Sequence, residues 1–354
     1  MTSTPEKILV IRLKAIGDAL LGLPVCGSLK KTYPEAQIDY LVYEHIKPLF
    51  LNHPDIDNVV TISAEERSSA WLYAKKMLCL RSQKYDMVID LINVPVSAWM
   101  TFLCGAKYTL GFDKKRWRSK LYKTEIEHTE YGDTVGKKLD ILKGLPHAAT
   151  VEKKWQLAIE PAETELMKQK LITYGVDFQR PVFFVAATSN AHDKTWPMNY
   201  MAEVMNHLCE KYDAQLIVNC VPGREQQLVS DMLSLLEDPK DVFRDIQLNL
   251  RELAIAISLC DFFFGNDGGP SHMATGTNVP SLMVYSPIHE KISWLPQANP
   301  RHQGVDLQDS MGITSEEHRS IRSHMGRHLE TFYQSITPEI VITKLDDMLG
   351  EFIV

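Results

Sequence analysis

The sequence predicts an α/β protein made of two doubly wound, parallel-sheet domains that face each other across a cleft. Its 354 residues are too many for one small core and fit two domains of ordinary size. Short apolar runs alternate with amphipathic helical stretches, which is the pattern of a sheet covered by helices. The same alternation starts again near Pro181, after a polar, proline-flanked segment at residues 146–162 that we interpret as a linker.

In the first half, four apolar runs predict strands and three amphipathic stretches predict helices. The first strand, KILVIRL, is followed by a helix that ends just before Pro34. Because the strands are apolar along most of their length, we expect both faces of their sheet to be covered. The predicted strands are residues 7–13, 37–43, 58–62 and 85–91, and the predicted helices are residues 18–33, 67–81 and 98–104.

The second half repeats this architecture without a fixed sequence period, which excludes a solenoid. Residues 286–334 have weak periodicity and many His, Arg and Ser residues. Ligands of doubly wound sheets bind beyond the carboxyl ends of the strands, so the loops that follow the strands are the candidates for chemistry. The predicted strands are residues 181–187, 214–220, 261–265 and 279–285, and the predicted helices are residues 198–212, 224–236, 250–259, 269–276 and 336–349.

Composition and motifs exclude several classes of protein. With 45% hydrophobic and 23% charged residues, the chain is not disordered, collagenous or a disulfide scaffold. Six cysteines without a C-x-x-C pair suit a reduced cytoplasmic protein better than a zinc framework. No apolar stretch approaches the roughly 18–20 residues of a membrane helix. The Walker A, G-x-G-x-x-G, H-E-x-x-H and G-x-S-x-G motifs are absent from the sequence.

Charge is unevenly distributed along the chain. The net charge of −7 divides into +4 for residues 1–160 and −11 for residues 161–354. The positive charge of the first half is concentrated in one basic run at residues 107–123. A solvated face is the usual meaning of such a run, but this run would also suit nucleic acid, an acidic membrane surface or a phosphorylated glycolipid. Nucleic acid is disfavoured because no known nucleic-acid module surrounds the run. The run has one acidic residue, Asp113, and seven basic ones: Lys107, Lys114, Lys115, Arg116, Arg118, Lys120 and Lys123.

The loop after the first strand, RLKAIGD, ends with Asp18 where the first helix begins. One interpretation is that Asp18 caps the helix by accepting backbone N–H bonds. The other is a carboxylate at the mouth of the cleft that can take a proton from a substrate. The local sequence alone favours the cap.

The segment NDGGPSHMA at residues 266–274 follows a strand and opens a helix. The glycine pair, Gly268 and Gly269, lets backbone amides approach a ligand, and Pro270 suits the first helical turn. A helix N-terminus favours an anion, so the segment has the physical parts of a phosphate cradle. The alternative is a glycine-rich turn in which Asp267 is a helix cap.

A third loop, ATSNAHDKTWP at residues 187–197, follows the strand that begins the second domain. Thr188 and Ser189 can donate hydrogen bonds to phosphate oxygens, and Lys194 can supply a point charge. The alternative is a solvated loop closed by Trp-Pro. By contrast, the D-x-D of Asp55 and Asp57 follows His-Pro and precedes a strand, so we interpret it as a polar turn and not as a magnesium site.

These loops, in this order, resemble the ADP-heptose:lipopolysaccharide heptosyltransferases of glycosyltransferase family 9. The resemblance spans nearly the whole chain. Its most specific parts are the IGD opening and the D-x-G-x-S-H-x-A segment. Its other parts are YPEAQIDYLV, NHPDIDNVV, YDMVIDL, CGAKYTLGFD, KTWP and VPGRE.

The resemblance implies the GT-B fold, with two Rossmann-like domains and a C-terminal helix returning towards the first. The implied division is an acceptor-binding domain at residues 1–155, an ADP-sugar-binding domain at residues 156–335 and the returning helix at residues 336–354. The implied reaction is inverting transfer of a heptose from ADP-heptose, with no obligatory metal and no other cofactor. The family's catalytic base falls on Asp18, which overturns the preference for a cap.

The resemblance also implies partners for the remaining residues. The donor would contact Thr188, Ser189, Asn190, Lys194, Glu225, Leu248, Asp267, Gly268, Gly269, Pro270, Ser271 and His272. We expect the basic run, through Lys114, Lys115, Arg116, Arg118 and Lys120, to bind an anionic glycolipid acceptor at the cytoplasmic face of the inner membrane. The acceptor is either the Kdo–lipid A unit or a preceding heptose, with peripheral membrane contact. A sugar-nucleotide epimerase of the same fold and a catalytically inactive sugar-nucleotide-binding protein remain the alternatives.

Overall fold

The computed structural model describes residues 4–113, 116–127, 129, 132–189, 192–220, 223–296, 299–326 and 329–352, with the backbone alone for residues 116, 119 and 192. The chain forms two compact units, Met1–Ala158 and Ile159–Val354. The division lies inside the predicted linker, three residues beyond the predicted boundary. In the described part of the chain, no helix combines the length and the apolar character needed to cross a membrane.

The first unit contains a six-stranded parallel sheet in the order β3-β2-β1-β4-β5-β6. Its strands are β1 (Lys7–Ile11), β2 (Gln37–Tyr43), β3 (Asn58–Ile62), β4 (Met87–Asp90), β5 (Tyr108–Phe112) and β6 (Thr124–Ile126). Its α-helices are α1 (Ile16–Leu20), α2 (Leu23–Thr32), α3 (Ala64–Ser68), α4 (Ala70–Ser82), α5 (Pro95–Cys104), α6 (Arg116–Ser119) and α7 (Thr134–Leu139).

The second unit has a six-stranded parallel sheet in the order β12-β11-β10-β7-β8-β9. Its strands are β7 (Val182–Ala186), β8 (Gln215–Val218), β9 (Val242–Phe243), β10 (Phe262–Asn266), β11 (Ser281–Val284) and β12 (His302–Val305). Its α-helices are α8 (Pro161–Thr173), α9 (Met198–Tyr212), α10 (Arg224–Leu233), α11 (Leu250–Ser258), α12 (Gly269–Gly276), α13 (Leu307–Met311), α14 (Ser315–Arg322), α15 (Leu329–Ser335) and α16 (Pro338–Phe352).

Both sheets have the doubly wound topology, which confirms the predicted fold class. Numbered within its own unit, each sheet has the order 3-2-1-4-5-6, and the direction of winding reverses between the first and fourth strands. In the first unit this switch point lies between β1 and β4, where Ile11 is in register with Asp90. In the second unit it lies between β7 and β10. Ligands of such sheets bind at the switch point, beyond the carboxyl ends of the strands.

The second sheet shows why the apolar runs predict buried parallel strands. Phe183, Phe262 and Phe264 face one buried cluster of the second unit. Phe184 and Phe263 face the other side, with their rings stacked 5.7 Å apart. All five side chains are buried, so helices and loops cover both faces of the sheet.

Close packing at the second switch point depends on one glycine. Gly265 of β10 has φ of +145°, a conformation that residues with a Cβ rarely adopt. A Cβ placed there would lie 2.3 Å from the carbonyl oxygen of Ala186 in β7. Glycine therefore lets β7 and β10 pair directly beside the loops that carry the candidate site.

The predicted helix at residues 18–33 is wrong in its continuity, since the structure has two helices, α1 and α2. Pro24 lies in the first turn of α2, where its missing N–H costs no helical hydrogen bond. The chain turns at Gly22, where a Cβ would lie 2.2 Å from the Tyr40 hydroxyl. That hydroxyl donates to the carbonyl of Ala19, at 2.7 Å, and so fixes the end of α1.

The C-terminal helix α16 packs on the second unit. Val341 and Leu345 are fully buried in the core of this unit. The Asp346 carboxylate accepts hydrogen bonds from Lys211, at 2.8 Å, and from Tyr212, at 2.7 Å, on α9. These contacts hold α16 alongside α9, within the domain that the sequence assigns to the donor.

Candidate active site

The switch points of the two sheets identify two groups of residues, one on each unit. In the first unit they are the loop and helix after β1 and the loop after β4. In the second unit they are the loops after β7 and β10. These are the positions of the sequence-predicted residues Asp18, Lys194 and Asp267. The two groups are called the first-unit site and the second-unit site.

In the first-unit site, Asp18 faces the buried guanidinium of Arg12. Arg12 Nη2 forms an ion pair with the Asp18 carboxylate, and its Nε donates to the Asp18 carbonyl oxygen at 3.0 Å. Its Nη1 donates to the carbonyl of Leu91 after β4, at 2.6 Å. One arginine therefore joins both loops of the switch point, while the Asp18 side chain remains 24% exposed.

The capping interpretation of Asp18 is wrong. The N-cap residue of α1 is Ala15, which has an extended backbone and makes no side-chain cap hydrogen bond, and Asp18 lies in the first turn of the helix. The hydrogen bonds that Asp18 accepts come from Arg12. The carboxylate is thus a partly exposed group held by a cation, and it is geometrically free to accept a proton from a ligand.

A buried network holds the loop after β4. The Asp90 carboxylate accepts hydrogen bonds from the amide of Asn93, at 3.0 Å, and from the Tyr122 hydroxyl, at 2.7 Å. Burial and the neighbouring Asp90 raise the pKa of Tyr122 above its usual range, so its hydroxyl remains a donor. Asn93 has φ of +55°, and its side-chain amide donates to the carbonyl of Phe112. This network was not predicted from the sequence, although Asp90 at a strand end followed by Asn93 is the available signal.

The basic run does not form one exposed strip. Arg118 is buried, and its Nη1 donates to the carbonyl of Asn93, so it does not lie on an exposed surface. Lys123 is exposed, and its Nζ donates to the carbonyl of Ala106 at 2.8 Å. Lys120 is exposed. Lys114 and Lys115 lie outside the described residues, as does the side chain of Arg116.

In the second-unit site, the loop after β10 presents the N-terminus of α12. Asn266 fixes this loop by donating to the carbonyl of Ala187, at 2.7 Å, and by accepting from the amide of Trp196, at 2.8 Å. Ser271 Oγ accepts from the Gly268 amide and donates back to the Gly268 carbonyl. The first-turn N–H groups of an α-helix lack intrahelical partners, so this end of α12 can bind an anion.

Asp267 and Lys194 lie beside this helix end. Lys194 Nζ is 3.6 Å from Asp267 Oδ2 and 6.0 Å from the centre of the Trp294 ring. Asp267 is buried, and its Oδ1 has no hydrogen-bond partner among the described residues. A buried carboxylate oxygen without a partner is costly, so this oxygen is suited to accept from a bound ligand's hydroxyl.

Two histidines flank the same position. The His272 ring lies 6.1 Å from Trp294, and the His289 ring lies 6.2 Å from it. Burial and the nearby Lys194 charge lower the pKa of His289, so its neutral form is favoured. The cluster therefore presents the Lys194 cation, the buried Asp267 carboxylate, two imidazole rings and an indole ring around the start of α12.

The loop after β7 places Thr188 and Ser189 near the start of the site. Thr188 Oγ1 donates to the Glu225 carboxylate on α10, at 3.0 Å. The Ser189 amide donates to Thr195 Oγ1 at 3.3 Å, which closes the loop on itself. Leu248 lies half-buried in the loop before α11. Asn190 lies outside the described residues.

No described group of three or more His, Cys, Asp or Glu side chains has an arrangement that could hold a metal ion. The discounted D-x-D is a structural turn, as predicted. The Asp57 carboxylate accepts from the Ile38 amide, at 2.7 Å, and pairs with Lys30, at 3.0 Å. Its oxygens are thus occupied by the protein.

Comparison with known proteins gives a consistent result. The model of glycosyltransferase family 9 (heptosyltransferase) matches residues 75–319. The chain is 24% identical to lipopolysaccharide heptosyltransferase 3 of Escherichia coli over 343 residues, which cover 94% of this chain and 96% of that protein.

Two solved structures share the fold over almost the whole chain. A glycosyltransferase of family 9 from Veillonella parvula has a TM-score of 0.83 at 18% identity, and the match covers 98% of both chains. The ADP-heptose lipopolysaccharide heptosyltransferase II of E. coli has a TM-score of 0.76 at 20% identity, covering 98% of this chain and 99% of that one.

Proposed function

The chain belongs to glycosyltransferase family 9, the heptosyltransferases, and we propose that it transfers a heptose from ADP-heptose to the inner core of lipopolysaccharide. The acceptor is the Kdo–lipid A unit or a preceding heptose, at the cytoplasmic face of the inner membrane. Relatives named as lipopolysaccharide heptosyltransferases, similar over most of the chain, support this assignment.

In the proposed reaction, Asp18 is the general base. Its carboxylate takes the proton of the acceptor hydroxyl as the hydroxyl oxygen bonds to the anomeric carbon of the donor. The bond between that carbon and the diphosphate oxygen breaks with inversion, and ADP leaves with the electron pair. Arg12 holds the carboxylate and the loop after β4 in one arrangement, which favours a fixed approach of the acceptor.

The second-unit site meets the charge on the leaving diphosphate. Lys194 supplies a cation, and the backbone amides of Gly269 and Ser271 supply donors at the start of α12, while the Gly268 amide donates to Ser271 Oγ and holds the turn. Asp267 and His272 bind the sugar and diphosphate, with the unpartnered Asp267 Oδ1 accepting from a sugar hydroxyl. Pro270, in the first turn of α12, has no N–H, so its neighbours provide these amides.

The remaining donor contacts follow the loops after β7 and β8. Thr188, Ser189 and Asn190 contact the phosphates, Glu225 contacts the nucleoside and Leu248 lines the adenine pocket. The Thr188 hydroxyl already binds Glu225, so nucleoside and phosphate recognition are linked through one hydrogen bond. For the acceptor, we retain Lys114, Lys115, Arg116 and Lys120 as anion-binding residues, and we assign Arg118 to support of the β4 loop.

The observation that carries this proposal is the Arg12-held, partly exposed Asp18 carboxylate at the switch point of the first sheet. We expect Asp18→Asn to lower kcat about a thousandfold, because the amide cannot take the acceptor proton. The affinity for ADP, measured by calorimetry, should stay unchanged.

Glu35→Gln is a matched control, since Glu35 is an exposed carboxylate of the same unit. Transfer by Asp18→Asn at the wild-type rate would contradict the assignment of the base.

An epimerase would release free nucleotide and sugar from the donor alone, and a binding protein would turn over no acceptor. NMR of the product's anomeric proton tests inversion, and activity after exhaustive chelation tests the expectation that no metal is required.

A further inference from the structure

The outward side of α4 and α5 carries a cluster of exposed apolar residues that the donor and acceptor sites do not use. Trp71 is 70% exposed and Leu78 is 68% exposed on α4. Large exposed apolar patches on a globular protein indicate a binding surface. We call this surface the α4–α5 apolar face, and its members are Trp71, Leu78, Val96, Trp99, Phe102 and Leu103.

The two helices lie side by side on the first sheet. Their inward residues, including Leu80, Met100 and Cys104, are buried in one cluster with β1. The Tyr73 hydroxyl lies 3.6 Å from Met100 Sδ, and Arg81 Nη1 donates to the carbonyl of Leu103 at 2.9 Å. Because both helices bury one side against the same sheet, their exposed apolar sides point the same way.

The spacing of the exposed residues follows the helical repeat. Trp71 and Leu78 are seven residues apart on α4, with Lys75 between them and its Nζ 5.6 Å from the centre of the Trp71 ring. On α5, Trp99 and Phe102 pack edge to face with ring centres 5.9 Å apart. The aromatic rings are therefore presented together and are not scattered over the unit.

The charges on these helices indicate what covers the face. α4 and α5 contain Lys75, Lys76 and Arg81 and no Asp or Glu, and of these Lys76 is ion-paired with Glu66 of α3, at 3.3 Å. A symmetric pairing with a second copy would bring like charges together. An anionic lipid surface has the complementary charge, and tryptophan prefers the interface between lipid and water.

The face is also continuous with the first-unit site. α5 begins at Pro95, directly after the β4 loop that Arg12 and Arg118 hold. We propose that the α4–α5 apolar face inserts its aromatic side chains into the headgroup region of an anionic bilayer. This inference rests on the proposed function, since a membrane-held glycolipid acceptor would then meet Asp18 beside the lipid surface.

Vesicle sedimentation tests the binding without any substrate. The full chain is mixed with vesicles of phosphatidylethanolamine and phosphatidylglycerol, or with phosphatidylcholine vesicles. We expect the anionic vesicles to bind the protein, and the triple variant Trp71→Ser/Trp99→Ser/Phe102→Ser to bind about tenfold more weakly. The control is Leu166→Ser/Ile172→Ser, which removes two exposed apolar residues from α8 of the second unit.

The inference fails if the wild type ignores anionic vesicles or if both variants lose binding equally. It also fails if the triple variant only converts a dimer to a monomer, measured by sedimentation velocity, while vesicle binding is unchanged. A kinetic comparison separates this result from the proposed function. The triple variant should retain its rate of transfer to a deacylated, water-soluble acceptor and lose about tenfold in rate with the vesicle-embedded acceptor. If the proposed function is wrong, the wild type itself will transfer to neither acceptor.

Discussion

At the residue scale, one buried side chain, Arg12, links the loops of the first-unit site. Its guanidinium contacts both loops of the first switch point, through Asp18 and Leu91. Lysine can supply the charge but not three donors in a fixed plane. In the proposed reaction Arg12 is thus a positioning residue, and the sequence did not predict this role because a single arginine after a strand has no distinctive pattern.

Replacing Arg12 with lysine should separate positioning from charge. We expect Arg12→Lys to lower kcat about a hundredfold, because a displaced base costs rate more than binding. The affinity for ADP and the urea midpoint should change little. Arg180→Lys is the control, since Arg180 is a partly exposed arginine in ion pairs with Asp213 and Asp241. A rise in KM with an unchanged kcat would contradict the positioning role.

Lys194 offers a second test at this scale, on the donor side. Its Nζ lies 3.6 Å from the buried Asp267, beside the start of α12. We expect Lys194→Met to weaken ADP binding about tenfold, as loss of one charge-assisted contact implies, and to leave adenosine binding unchanged. Calorimetry with both ligands measures this difference.

The matched variant is Lys211→Met, which removes a half-exposed lysine paired with Asp346 on the far side of α9. It should leave both affinities at the wild-type level. Equal losses of ADP and adenosine affinity in Lys194→Met would contradict a phosphate contact and indicate a general disturbance of the loop.

At the scale of elements, strands with strong apolar patterns could be predicted and weak ones could not. β7 and β10 were evident from runs such as PVFFVAA and DFFFG. β12, with the sequence HQGV, and β9, with two residues, have neither length nor apolar alternation. These edge strands depend on pairing with a formed sheet, which local sequence does not record.

The site loops could be located from the sequence because strand ends and glycines are local features. Their contacts could not, because they depend on distant partners. Arg118 belongs to a basic run that suggests a solvated face, yet its guanidinium is buried against the carbonyl of Asn93. Asp18 lies at the start of a helix, yet the cap is Ala15 and the carboxylate is held by Arg12.

The edge strand β12 contains a buried histidine, His302, that should make the stability of the second unit depend on pH. His302 pairs in register with Ser281 of β11, and its Nδ1 is 2.8 Å from the Ser281 hydroxyl. Burial, with the nearby Arg301 charge, lowers the pKa of His302 to about 4. The unfolded chain therefore binds a proton at higher pH than the folded one, and stability falls as the pH drops from about 6.5 towards 4.

His302→Gln should remove this part of the pH dependence. Between pH 7 and pH 4.5, we expect the second unit of the wild type to lose about 2 kcal/mol more unfolding free energy than the variant. Urea titrations at the two pH values measure this loss of unfolding free energy. Taking the difference between the two pH values removes any effect of the substitution that does not depend on pH. An identical loss in both proteins would contradict a buried neutral His302.

At the scale of the whole molecule, the two halves of the chain differ in net charge. The surplus of the first half comes from residues 107–123, which carry +6 against +4 for residues 1–160. Residues 161–354 carry −11, which does not attract an ADP-sugar at long range. In the proposed function, donor binding would therefore depend on a local arrangement, and Lys194 with the start of α12 is the arrangement that the second switch point provides.

The two sheets share one topology but differ in what their switch points present. The first offers a carboxylate held by an arginine, and the second offers a lysine beside a helix N-terminus. In the proposed reaction, the first group is the base and the second binds the diphosphate, which suits transfer between two substrates. Neither group alone is sufficient for that reaction, so the proposed activity is a property of the complete chain.

The measurement that tests this most directly is product mass spectrometry after incubation of the chain with ADP-heptose and a panel of truncated lipopolysaccharide acceptors. We predict that one inner-core acceptor gains a single heptose while an equal amount of ADP forms, and that ADP-heptose alone stays intact. Release of free sugar and nucleotide without acceptor, or no modified acceptor in a panel that includes Kdo–lipid A and heptose-bearing cores, would contradict the proposed transfer.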